Sequence, residues 1–188
     1  MSTDSQRRTT TRTDLLSAIA QVFEAQGYDG ATLNALAAAT GLGKASLYHH
    51  FPGGKPEMAA ILLRGAVAAL EKNAYSHLSV PGPARQRLAA FIDGFRDYVA
   101  HGERACLVTI LAQGSLGAVH GGEVAARFTD WQARLAVVYE EAGLKPKAAR
   151  RAAAELLACL YGSLLLTRLG NDPDCFRRQA RRLKKSLP

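Results

Sequence analysis

The chain has 188 residues and a formal net charge of +8, and is rich in alanine and leucine, enough for one or two small domains with a real core. Strand signals are scarce and apolar residues recur at three- and four-residue steps, so the fold reads as all-α with about nine helices. Cys106, Cys159 and Cys175 stand far apart without a C-x-x-C pair, which argues against a disulfide framework or a zinc site and for free thiols in a reducing cytoplasm. No secretory segment opens the sequence, and the most apolar run, Leu156 to Thr167, falls short of the ~20 residues a bilayer crossing takes. The expectation is a soluble cytoplasmic protein. The positive charge is weak evidence for a nucleic-acid partner: it balances over Met1 to Met58, and the surplus lies after Gly143.

Met1 to Thr11 is polar and lacks apolar periodicity, so it reads as an arm; Arg7, Arg8 and Arg12 suit phosphates or a minor groove. A helix is expected over about Thr13 to Gln26, with Leu15, Ile19 and Phe23 on one stripe and Gly27 as its C-cap. Thr32 suits the N-cap of a second helix, whose inward residues are Leu33, Leu36 and Ala37. Gly41 supplies a turn that calls for positive φ. A third helix runs from about Gly43 to His50, with Leu47 and Phe51 inward. Two short helices at this spacing make a helix-turn-helix unit.

The outward side of the third helix carries Lys44, Ala45, Ser46, Tyr48 and His49. These side chains are short, flat or able to donate, as a face pressed into a major groove requires. Lys44, Ala45 and the Tyr48 ring are the candidates for base edges. Thr32, Ser46, the Tyr48 hydroxyl, His49 and Lys55 are the candidates for phosphates. Asn34 is a further candidate, since an amide can bond adenine.

The run K-A-S-L-Y-H-H-F-P-G-G-K-P-E resembles the recognition helix and following turn of the TetR family of transcriptional repressors. The doubled histidine and the extra glycine before Lys55 look most like its LmrA/YxaF-type branch. The upstream T-D-L-L-S-A-I-A-Q-V-F-E-A-Q-G-Y-D-G-A-T resembles that family's first helix, so the likeness runs over roughly Arg12 to Met58. Asn34 and Ala35 depart from it, standing where many members place an arginine and an acid. The resemblance implies a DNA-binding domain at residues 1–61 and a ligand-sensing and dimerisation domain at 62–188, with the boundary inside a helix near Leu62. It also implies double-stranded operator DNA, a second copy of the chain, and a small hydrophobic or aromatic effector as partners, and no membrane.

Past Phe51, Pro52 to Glu57 reads as a turn and a helix start, followed by a fourth helix to about His77. It fails the phosphate-loop pattern at His49 and at Pro56. Further helices are expected over about Ala84 to Ala100, Arg104 to Leu116, Glu123 to Ala142, Lys147 to Leu169 and Pro173 to Leu187, with a glycine-rich loop over Gly117 to Gly122. Phe91, Phe95, Tyr98, Leu107, Leu111, Phe128, Trp131 and Leu135 are the candidates to line a pocket for a flat apolar ligand. The eighth helix is apolar on more than one side and so must be buried against several neighbours. With the ninth it resembles the pair that dimerises TetR-like proteins as a four-helix bundle, which makes Leu157, Leu160, Leu164, Phe176 and Leu183 the candidates for a dimer interface, with burial inside one chain as the rival.

No catalytic pattern competes. G-x-S-x-G is absent around Ser115, and no H-E-x-x-H occurs. His49 and His50 are adjacent, so on a helix they diverge by about 100°. No cofactor or metal is expected and no enzyme. The rival reading is a helical protein-interaction adaptor that does not bind DNA.

Overall fold

The computed structural model describes residues 11–170 and 172–188, so Arg7 and Arg8 of the expected arm lie outside the described residues. Among those residues the order is α1 (Arg12–Gly30), α2 (Leu33–Thr40), α3 (Lys44–His50), α4 (Gly54–Asn73), α5 (Ala84–Tyr98), α6 (Leu107–Leu111), α7 (Gly114–Glu141), α8 (Pro146–Leu169) and α9 (Cys175–Lys185). Short 3-10 turns occupy Tyr75–Ser79 and Ala100–Gly102.

Thr11 and Asp14 start α1 with a reciprocal pair: the Asp14 amide donates to Thr11 Oγ1 at 3.2 Å, and the Thr11 amide to Asp14 Oδ2 at 2.9 Å. Leu15, Ile19, Val22 and Phe23 are its buried stripe. Its regular part ends at Gly27 as expected, where φ 68° and ψ 177° are not helical, and one further turn follows through Tyr28 and Asp29. Gly41 takes the left-handed conformation expected of it, φ 68° and ψ 14°, and turns the chain from α2 into α3.

Two expectations about the body need correction. The fourth helix ends at Asn73, short of His77, because α5 crosses its end at contact distance. A Cβ on Gly94 would stand 1.8 Å from the Asn73 carbonyl oxygen, so only glycine permits that crossing. The segment Gly117 to Gly122 is not a loop. α6 is five residues long, and α7 starts at Gly114 and carries Gly117, Gly121 and Gly122 within its helix. The start of α7 is held from outside by Asp29, a contact that local sequence does not encode.

α8 has the length and the mean hydropathy, 1.4 over its most apolar window, of a bilayer-crossing helix, where the twelve-residue run alone predicted too little. Its buried stripe, Ala149, Ala153, Leu156, Leu157, Leu160, Ser163 and Leu164, faces α7 and α9. One continuous core runs from Leu15 in α1 to Leu187 after α9.

Candidate nucleic-acid interface

α3 is anchored from inside and polar outside. Leu47 and Phe51 are wholly buried, as are Leu36 of α2 and Met58 of α4, while Lys44, Ala45, Ser46, Tyr48, His49 and His50 are exposed. The Arg12 guanidinium stacks over the Phe51 ring at 5.3 Å and fixes the end of α3 to the start of α1. Tyr48 keeps 45% of its surface exposed, large for an aromatic beside a core. Asn34 is exposed on the first turn of α2, and Thr32 Oγ1 caps that helix by accepting from the Ala35 amide at 3.1 Å.

Three of the phosphate candidates meet at one place. Thr32, Tyr48 and Lys55 line a hollow of about 480 Å³ between the start of α2 and the start of α4, together with Gly53 and Gly54. The Tyr48 ring lies against Gly54, where a Cβ would come within 3.1 Å of it. Lys55 is not a free cation: its Nζ donates to the Ala31 carbonyl at 2.9 Å and sits 4.5 Å from the centre of the Tyr28 ring. An ammonium has three donors, so two remain for a phosphate. At the start of α4, Gly53 N–H is taken up by Glu57 Oε2 at 2.7 Å and is not open to a phosphate. Ser46 and His49 stand outside the hollow, on the outward side of α3.

The extra turn of α1 ties this head to the body, which sequence reasoning missed. Asp29 accepts from the Ser115 amide at 3.1 Å and from the Ser115 hydroxyl, and so caps α7. Those bonds, the hydroxyl's first, and then the Lys55 charge hold the Asp29 carboxyl below its ordinary value of 3.8, against a smaller opposing effect of burial. Beside it, Arg104 pairs with Glu24 at 3.3 Å and Arg168 donates to the Glu24 carbonyl at 3.1 Å. The signal available was Asp29 two residues after a helix-bending glycine, but nothing local names Ser115 as its partner.

The aromatic residues expected to line a pocket are packed instead. Phe91 meets Tyr75, Tyr75 stacks on Trp131 at 4.2 Å, Trp131 meets Phe128, Phe128 meets Tyr161, Tyr161 meets Phe95, and Phe95 meets Phe176. Phe91, Phe95, Trp131, Leu111 and Leu135 are wholly buried, and Leu107 nearly so. Tyr98 and Leu107 border a groove between α1 and α4. Sequence reasoning also missed Glu71 of α4. Trp131 Nε1 donates to it at 2.7 Å, and Arg134 holds it in a fork at 2.8 and 2.6 Å. The Arg134 bonds, chiefly, push the Glu71 carboxyl below its ordinary range against the opposing effect of burial. The cleft beside this cluster, about 290 Å³, lies between α4 and α7 and is lined by Leu63, Arg64, Val67, His120, Val124 and Arg127 among others. None of the eight pocket candidates borders it.

The interface candidates are likewise turned inward. Leu160 and Phe176 are wholly buried within the protomer, Leu157 and Leu164 nearly so, and Leu183 is half-buried. α8 turns Leu157, Leu160 and Leu164 toward α7 and α9, and Phe176 is part of the buried side of α9. Its open side carries Ala158, Gly162, Leu165, Leu166 and Leu169 instead. Leu165, Leu166 and Leu169 are 56%, 60% and 78% exposed, and nothing lies within 4 Å of a Cβ at Gly162.

Comparison with known proteins finds its strongest sequence matches in the N-terminal helices. Residues 15–60 match the family model of bacterial regulatory proteins, tetR family. The HTH-type transcriptional regulator LmrA of Bacillus subtilis (strain 168) is 48% identical over 48 residues, 26% of this chain and 26% of that protein. The HTH-type transcriptional activator FasR of Mycolicibacterium smegmatis is 33% identical over 90 residues, 48% of this chain and 41% of that protein. The matched part thus spans well under half the length of either relative. Two solved structures share the whole fold at low identity. The ketosteroid transcriptional regulator KstR2 of Mycobacterium tuberculosis superposes with a TM-score of 0.74 at 19% identity, covering 94% of this chain and 92% of that one. AibR, solved with isovaleryl coenzyme A and operator DNA, gives 0.69 at 20% identity over 92% and 95%.

Proposed function

We propose, from the match of residues 15–60 to the family model of bacterial regulatory proteins, tetR family, that this chain is a TetR-type regulator, a homodimeric, effector-released repressor of a palindromic operator. The observation that carries the reading is the outward face of α3: six consecutive-turn positions exposed and polar or small, around a single buried Leu47. That is a face built to be covered, and its side chains match base edges and phosphates.

In this reading residues 1–61 are the DNA-binding domain and residues 62–188 sense the effector and dimerise. Lys44, Ala45 and the Tyr48 ring face bases. Thr32, Ser46, the Tyr48 hydroxyl, His49 and Lys55 face phosphates, with Asn34 beside them on α2. The second copy docks on the open side of α8, where Ala158 and Gly162 allow close approach and Leu165, Leu166 and Leu169 supply apolar area. Two half-sites then lie about one helical turn apart or a multiple of it, ~34–36 Å per turn. A small hydrophobic or aromatic effector acts from the body, bordered by α4 to α8, by binding one arrangement of the two heads better than the other. AibR, of the same fold, is known with both an acyl coenzyme A and operator DNA.

The test is titration of the purified chain into duplexes from its own promoter region at several salt concentrations. Specific binding that falls steeply with salt supports the reading. Binding to no duplex, or equal and weak binding to every duplex, would sink it and favour the adaptor.

A further inference from the structure

The cleft between α4 and α7 combines two features that the DNA face and the aromatic core do not use. Its floor is apolar, with Leu63 and Val67 from α4 and Val124 from α7. Its rim holds two guanidiniums, Arg64 and Arg127, which make no ion pair or hydrogen bond among the described residues. Arg127 acts on Glu71 only through space. The Glu71 carboxylate is already held by Arg134 and Trp131, so it does not neutralise them. His120 and Glu123 complete the rim.

We propose that this cleft binds an amphipathic organic anion, with its charged end between Arg64 and Arg127 and its apolar body on Leu63, Val67 and Val124. The inference rests on the effector-released reading above and names the chemical class of that effector. A guanidinium fork bonds a carboxylate or phosphate oxygen pair at a defined angle, which a neutral head group cannot match. A cleft of about 290 Å³ sits at the small end of ligand sites, so the apolar body is short. Glu123 on the same rim disfavours a second negative charge, so a monoanion fits better than a dianion.

The position explains how occupancy reaches the DNA. One wall is α4, which begins at Gly54 beside Tyr48 and Lys55. The other is α7, whose first turn is tied to Asp29 of the head. Spreading the two walls therefore moves the head at two points.

Trp131 is the single tryptophan and bonds Glu71 at the cleft, so its emission reads the site. Decanoate, decyl phosphate and decanol, each below its micelle concentration, are titrated into the purified full-length chain. Decanoate is expected to give a saturable change, decyl phosphate a weaker one at a pH where it is doubly charged, and decanol the weakest. The double variant Arg64→Gln, Arg127→Gln, both exposed, is expected to keep its melting temperature and lose about tenfold or more in decanoate affinity with decanol unchanged. Ala68→Phe, which fills the cleft from α4, is expected to lose all three. Equal binding of decanol and decanoate, an unaffected double variant, or decanoate binding that survives the filled cleft would overturn the proposal. Operator release is read separately by anisotropy of a labelled duplex. A chain that binds decanoate but no duplex keeps this site and loses the repressor reading, and one that binds duplex but ignores decanoate does the reverse.

Discussion

The head and the body are held together by different kinds of contact. In the head, several partners are close in sequence, Thr11 with Asp14, Thr32 with Ala35 and Phe23 with Tyr28, and the longer ones, Lys55 with Ala31 across 24 positions and Arg12 with Phe51, stay within it. In the body, they are distant: Trp131 with Glu71 across 60 positions, Lys184 with Asp93 across 91, and a line of seven rings that takes members from four helices and a 3-10 turn. The head therefore closes largely on itself, while the helices of the body depend on one another over long sequence separations.

Four substitutions test the contrast. Trp131→Ala has the largest expected effect, about 3–5 kcal/mol by denaturant titration, because it removes a fully buried ring between Tyr75 and Phe128 and leaves Glu71 short of a donor. A loss below about 1 kcal/mol would mean that the ring line does not bind the body together. Tyr48→Ala acts on the face and not on the fold: operator affinity is expected to drop by about 1–3 kcal/mol, with the melting temperature nearly unchanged. An unchanged affinity would remove Tyr48 from the interface.

Gly114→Ala probes the joint between the two regions. It places a Cβ 2.0 Å from Asp29 Oδ2 at a φ of +69°, so the cap opens and the backbone is strained by about 1–2 kcal/mol. Faster amide exchange confined to the first turn of α7 and the last turn of α1 is the expected signature. Asp29→Asn has the smallest effect and shows in the pH dependence. The Asp29 carboxyl is held low in the folded chain, so its contribution is present above the ordinary value of 3.8 and is lost as pH falls through the lower folded value. The variant's unfolding midpoint is expected to vary less over that acid window than the parent's, and identical profiles would show that the cap is not formed in solution.

The helix-turn-helix was legible because each of its signals is local. A capping threonine, a turn glycine and an apolar residue every third or fourth position need no distant partner, and the structure places Thr32, Gly41, Leu36, Leu47 and Phe51 as they predict. The outward residues of α3 followed from the same periodicity by elimination. Glycines 117, 121 and 122 misled for the converse reason: they weaken a helix locally, and α7 forms through them with its first turn capped by Asp29, 86 positions away.

Residue spacing alone determined that the chain is helical, where its reader helix lies and which side of it faces outward. Whether the aromatic residues enclose a space or fill it, which side of α8 is left open, and which arginines stay unpaired were decided by packing. Those outcomes depend on helices meeting at particular depths, as α5 meets the end of α4 at Gly94, and one-dimensional periodicity carries no record of depth.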